Sequence, residues 1–233
     1  MTSLLLIGFL IGMRHALDAD HVAAVASLTT RQQTLKQAMK QGMAWGLGHT
    51  ITLFTIGSIV LWMDTVMPVA LAQLLEILVG LMLVLLGADV LLRVVRERIH
   101  FHQHRHGKQS HFHAHSHVKE KAHSDSRHQH QHIDKFPVRF LMVGLMHGMA
   151  GSAALILLML ETINSPWLGM IYILLFGIGS ILGMAVLSLA IAIPLRASAK
   201  GLTWLHNGLQ AAIGVFTVGL GANILYSYGM IGH

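Results

Sequence analysis

Apolar residues gather into six long stretches, at roughly 3–28, 38–63, 67–94, 136–161, 168–194 and 203–228. A helix needs about 20 mostly apolar residues to cross a bilayer at 1.5 Å per residue, so each stretch is predicted to span. Polar or proline-containing breaks separate them: Asp64 to Pro68, Asn164-Ser165-Pro166, and Pro194 to Gly201. The start Met1-Thr2-Ser3-Leu4 has no basic segment ahead of its apolar run, so the first stretch is expected to be a retained helix rather than a cleaved signal. Residues 95–135 break the pattern. They hold few apolar side chains and are expected to form a disordered polar loop.

Composition agrees with this pattern. The 233 residues are 54% hydrophobic and 11% charged, less than half the charge of an ordinary soluble domain. Cysteine is absent, which excludes disulfides and thiolate metal sites. Of the 16 Lys and Arg, all but Arg14 lie in or beside the loops after the first, third and fifth stretches. The positive-inside rule then places those loops in the cytoplasm and both termini outside. A net charge of +6 carried by such loops does not point to a nucleic-acid partner.

The two halves resemble each other at an offset near 132. Gly12-Met13-Arg14-His15 matches Gly144-Leu145-Met146-His147, and Gly46-Leu47-Gly48-His49 matches Gly177-Ile178-Gly179-Ser180. Leu86-Gly87-Ala88-Asp89-Val90-Leu91 matches Leu220-Gly221-Ala222-Asn223-Ile224-Leu225. A repeated unit of three spans must be inverted in the membrane, an arrangement typical of secondary transporters with a midplane site. The expected fold class is therefore an all-α membrane protein of six transmembrane helices in two inverted repeats. Residues 1–94 form the first repeat, 95–135 the loop and 136–233 the second repeat. Glycines four apart (8/12, 42/46, 144/148, 179/183) favour close helix approach.

The chemistry concentrates in Arg14-His15-Ala16-Leu17-Asp18-Ala19-Asp20-His21, inside the first stretch. Two aspartates and an arginine at bilayer depth cost about 8–10 kcal/mol on insertion scales, which marks a functional site. Imidazole and carboxylate together suit a divalent ion such as nickel, cobalt, zinc or iron, not copper(I). On a regular helix His15 and Asp18 are about 60° apart while Asp20 points elsewhere, so the segment must distort or divide its roles. Counting about 1.5 Å per residue from the membrane edges puts His15, His49 and His147 near one depth, with Asp18, Asp20 and His21 one to two turns closer to the cytoplasm. The candidate metal ligands are His15, Asp18, Asp20, His21, His49 and His147.

Arg14 is expected to pair with Asp18, and Asp89 with Arg93, each at i,i+4. Glu76 and Gln210 are read as interhelical hydrogen-bonding groups. Asn207, Asn223, Ser152 and Thr50 either line the path or bond to backbone. The loop holds 12 of the 18 histidines, with alternation at His100, His102, His104 and His106 and again at His111, His113, His115 and His117. Such a tract binds divalent metal loosely and is read as an auxiliary metal loop or as a solvated linker.

The segment Arg14 to His21 resembles the signature of the nickel/cobalt transporter family, Arg-His-Ala-x-Asp-Ala-Asp-His, without a departure. Leu47-Gly48-His49-Thr50 is similar to a second family element. The resemblance implies roles for His15, Asp20, His21 and His49 in metal selection and transport. It covers residues 8–60 best and is nearest to the UreH-like six-span permease branch. The histidine-rich loop resembles nickel/cobalt efflux proteins of the same superfamily, so import and export both stay open.

The expectation is a permease, not an enzyme, that imports Ni²⁺ and also Co²⁺ across the inner membrane. It would have no resident cofactor, and the lipid bilayer and a cytoplasmic metallochaperone would be its partners. No G-x-x-x-x-G-K-[ST] occurs in the chain. Membrane potential alone favours inward movement of a divalent ion by about 4.6 kcal/mol per 100 mV. The competing readings are an exporter of the same ions, a zinc exporter, an energy-coupling subunit of an ABC-type importer, and an intramembrane metalloenzyme. The last would need a motif such as His-Glu-x-x-His, which the chain lacks.

Overall fold

The computed structural model describes residues 2–30, 34–63, 68–96, 100–106, 109–115, 137–150, 165–199 and 202–230. Among these lie seven helices: α1 (Thr2–His15), α2 (Ala19–Thr29), α3 (Leu35–Met63), α4 (Val69–Arg96), α5 (Val138–Ala150), α6 (Pro166–Ala199) and α7 (Thr203–Met230). Helices α3, α4, α6 and α7 are each long and apolar enough to cross a membrane, while α1 and α5 are shorter apolar helices. Large apolar side chains such as Leu74, Leu81, Leu85 and Leu92 on α4 and Val215 and Phe216 on α7 remain exposed. An exposed apolar surface of that extent suits lipid, and the chain is a multi-pass membrane protein.

The first predicted span is two helices, not one. Helix α1 ends at His15, where Leu17 and Asp18 donate their N–H groups back to the carbonyls of Arg14 and His15 in a tightened last turn. Asp18 is extended, with φ −62° and ψ 146°, and α2 starts at the next residue. Aspartate favours that position before a helix. The consequence is a helix N-terminus, with its free N–H groups, beside the buried His21. The expected Arg14–Asp18 pair does not form. The break takes Asp18 off the i+4 register, and His15 holds it instead.

Three other expectations change. The break predicted from Pro194 lies inside α6, which runs on to Ala199. Proline so near a helix end removes one hydrogen bond, and the last turn is secured by other groups. Ser198 Oγ and His206 Nδ1 both donate to the Leu195 carbonyl, at 2.8 and 3.1 Å. Gln210 Nε2 in turn donates to His206 Nε2 at 2.9 Å, so Gln210 bonds within α7 and not between helices. The segment read as disordered contains an antiparallel hairpin, β1 (His100–His106) paired with β2 (Gln109–His115). Its register sets His100 opposite His115, His102 opposite His113 and His104 opposite His111. Residues 97–99, 107–108 and 116–135 of that loop lie outside the described residues, as does the second part of the fourth predicted span, 151–161, with Ser152.

Glycines mark the helix crossings. A Cβ on Gly12 of α1 would meet the Phe176 carbonyl of α6, and one on Gly144 of α5 would meet the Trp45 carbonyl of α3. Gly48 of α3 and Gly179 of α6 stand likewise against the Leu141 and Phe9 carbonyls. Gly80 and Gly221, and Gly87 and Gly214, face each other's backbone where α4 crosses α7. Close approach of this kind substitutes backbone contact for side-chain packing between membrane helices. Around these crossings α2 is buried against α7, α4 and α6, with Ala23, Ala24, Trp45, Val79 and Leu83 in one apolar cluster. The expected Asp89–Arg93 ion pair is present at 3.3 Å, and Arg93 also donates to Thr30 Oγ1.

Candidate metal centre

The break between α1 and α2 gathers four histidines from four helices. His15 ends α1, His21 sits in the first turn of α2, His49 lies midway along α3 and His147 near the end of α5. Their rings lie close: centroids are 4.4 Å apart for His15 and His21, 5.1 Å for His21 and His49, and 4.2 Å for His21 and His147. His21, His49 and His147 are buried. Two sets of donor atoms each fall within 4.8 Å: His15, His21 and His49 form one, and Asp20, His21 and His147 the other.

The hydrogen bonds orient these rings. His15 Nδ1 lies 2.7 Å from Asp18 Oδ2, so the carboxylate takes the Nδ1 hydrogen and Nε2 keeps its lone pair. Asp20 faces two imidazoles, with Oδ1 3.0 Å from His21 Nδ1 and Oδ2 2.9 Å from His147 Nε2. Oδ1 also accepts the backbone N–H of His21 at 2.9 Å, one of the donors left free at the start of α2. A carboxylate in the first turn of a helix gains further from its positive end.

What remains is the informative part. His15 Nε2, His21 Nε2, both ring nitrogens of His49 and His147 Nδ1 are buried without a hydrogen-bond partner among the described residues. Buried polar atoms left this way cost about 1–3 kcal/mol each. Three neutral imidazole nitrogens converging with free lone pairs form a donor set for a borderline divalent ion, for which metal–nitrogen distances are about 2.0–2.1 Å.

The candidates divide accordingly. His15, Asp20, His21, His49 and His147 come together. Asp18 does not join either donor set; its side chain is 53% exposed and its observed role is to hold the His15 ring. Residues that the sequence reading missed complete the walls. Trp45 stacks on His21 with centroids 6.0 Å apart and planes 5° from parallel, and Phe176 lies 5.2 Å from His15. Trp45 precedes His49 by one helical turn, a spacing that puts both on one face. Ser180, which aligns with His49 between the two halves, is fully buried with an unpartnered hydroxyl. Thr50 donates to the Gly177 carbonyl of α6, one of the two roles expected for it.

A family model described as "High-affinity nickel-transport protein" (NicO) matches residues 1–222 of the chain. The chain is 32% identical over 230 residues to a urease accessory protein, UreH, of Bacillus sp. (strain TB-90), covering 99% of this chain and 93% of that protein. No solved structure matches the chain.

Proposed function

The chain belongs to the NicO family of nickel-transport proteins, and from that premise we propose that it imports Ni²⁺, and also Co²⁺, across the inner membrane through the His–Asp cluster. The single observation that carries the site assignment is the convergence of unpartnered imidazole nitrogens from His15, His21 and His49 beside the Asp20 carboxylate. In a low-dielectric interior these groups are costly alone and favourable around a doubly charged guest. Asp20 supplies negative charge to offset the ion, and the imidazoles replace its water ligands.

The six-span inverted repeat is part of this reading. It is supported by the paired glycine contacts, in which Gly12 on Phe176 and Gly144 on Trp45 occupy corresponding positions of the two halves. An inverted repeat offers two related conformations that open the site to either side in turn. The broken α1–α2 helix is of the discontinuous kind at which such transporters hold their ions, which supports the reading. Inward transport would follow the membrane potential, and the basic loops support a cytoplasmic side for the hairpin.

Cells expressing the chain are expected to accumulate labelled nickel, with uptake reduced but measurable in His15→Ala and reduced in Asp20→Asn at equal amounts of membrane-inserted protein. Depletion of nickel relative to empty cells would instead identify an exporter, and unchanged uptake in both variants would defeat the site. Asp18→Ala frees the His15 ring without removing a ligand, so it is expected to weaken nickel affinity roughly 10- to 100-fold. Asp18→Asn, which keeps an acceptor oxygen, should weaken it less; isothermal titration of the purified variants with nickel checks both.

The hairpin is read as an auxiliary metal-holding segment. Its register sets three pairs of histidine positions opposite one another across the two strands. Deleting residues 100–132 is therefore expected to leave nickel uptake measurable at saturating metal. Complete loss of uptake at normal protein levels would show that the loop is required for transport.

A further inference from the structure

The two donor sets have one member in common. His21 meets the second set through Nδ1, 3.0 Å from Asp20 Oδ1 and 3.3 Å from His147 Nε2. That leaves the buried, unpartnered Nε2 as the nitrogen it can offer to His15 and His49. From this geometry we infer that the two sets are alternative seats for a single ion and that His21 passes the ion from one to the other. The inference rests on the cluster being the seat of the transported ion.

The argument is one of lone pairs. A neutral imidazole carries one N–H and one in-plane lone pair, so it can hold a metal on one nitrogen at a time. Ions in both sets at once would require a ring stripped of both hydrogens, with two divalent charges on either side of it. Two doubly charged ions on either side of one ring would also repel strongly in a medium of lower dielectric than water. Single occupancy therefore follows from the ring's chemistry and from the charge of the ions alike.

The sets also differ in readiness. In the histidine set, Asp18 takes the His15 Nδ1 hydrogen and Asp20 that of His21, which leaves both Nε2 lone pairs free. In the second set both Asp20 oxygens already accept hydrogen bonds from imidazole nitrogens. The histidine set is thus open to an ion while the Asp20 set is closed by its own hydrogen bonds. The ion is taken first by His15, His21 and His49 and then moves across His21 to Asp20 and His147, with the His21 hydrogen shifting from Nδ1 to the Nε2 that the ion vacates and the His147 hydrogen from Nε2 to its unpartnered Nδ1. The parallel stack of Trp45 on His21 keeps the ring in the plane that faces both sets.

The test counts ions on the full-length chain in detergent, with the loop histidines from His100 to His132 changed to glutamine so that only the cluster is read. Equilibrium dialysis against nickel, followed by metal analysis, is expected to give one ion per chain at saturation. His49→Ala and His147→Ala, each damaging one set, should still hold one ion with weaker affinity, and His21→Ala should hold none. Two ions per chain in the parent would overturn the shared-ligand inference while leaving the cluster a metal site. An ion retained at parental affinity by His21→Ala would also overturn it. No ion in the parent would sink both the inference and the site reading beneath it. The parental count requires no substitution in the cluster, so it stands whatever the folding of the variants.

Discussion

His21→Ala is expected to reduce nickel transport by at least about 100-fold, the largest effect of any single substitution in the cluster. Loss of an outer-shell partner alone costs roughly 10- to 100-fold in metal affinity, and His21 is a member of both donor sets. Removing His15 or His49 damages one seat, whereas removing His21 damages two. The side chain is fully enclosed by Trp45, His15 and His147. Uptake of labelled nickel per unit of membrane protein measures the effect. An uptake in His21→Ala equal to that of His15→Ala would show that the second set carries no traffic.

Gly144→Ala is expected to destabilise the protein, while the same change at Gly208 stabilises it. A Cβ at Gly144 would run into the Trp45 carbonyl and indole, both held by the α3 backbone. Overpacking a tight contact costs about 1–3 kcal/mol, enough to leave much of the chain unfolded in a marginal membrane protein. Among the described residues nothing lies within 4 Å of a Cβ at Gly208. There the helix gains about 0.5–1 kcal/mol from the lower backbone entropy of alanine. Thermal unfolding in detergent should therefore shift down for Gly144→Ala and up for Gly208→Ala. Because Trp45 also backs His21, surviving Gly144→Ala protein should bind nickel more weakly than the parent.

Much of this was legible in the chain because membrane helices are written in length and hydrophobicity. Helices α3, α4 and α7 begin and end within a few residues of the apolar stretches that predict them. The need for a distortion near Asp18 was also legible, since no regular helix turns His15, Asp20 and His21 to one point. Its position was not, because the choice of Asp18 as the extended residue depends on the hydrogen bond from His15 and on what surrounds α2. Pro194 was misread as a stop. Proline forbids one backbone hydrogen bond, and only the fold shows that Ser198 and His206 secure the turn beyond it.

The candidate site was legible in its polar groups and opaque in its walls. Histidine and aspartate inside an apolar helix are conspicuous because they are costly there. Trp45 and Phe176 are ordinary in such helices, and nothing in the sequence alone sets them apart from lipid-facing residues. Asp18 shows the limit from the other side, since its chemistry equals that of Asp20 and only the backbone break assigns it to His15. The hairpin was hidden by composition. Polar, histidine-rich segments resemble disorder, yet the two-residue alternation from His100 to His106 has the period of a strand.

The most direct measurement is X-ray absorption at the nickel edge of the loaded full-length chain with its loop histidines replaced by glutamine. The account predicts a first shell dominated by imidazole nitrogen at about 2.0–2.1 Å, with fewer imidazoles in His49→Ala. A first shell of water oxygens alone, unchanged in His15→Ala and His49→Ala, would contradict it.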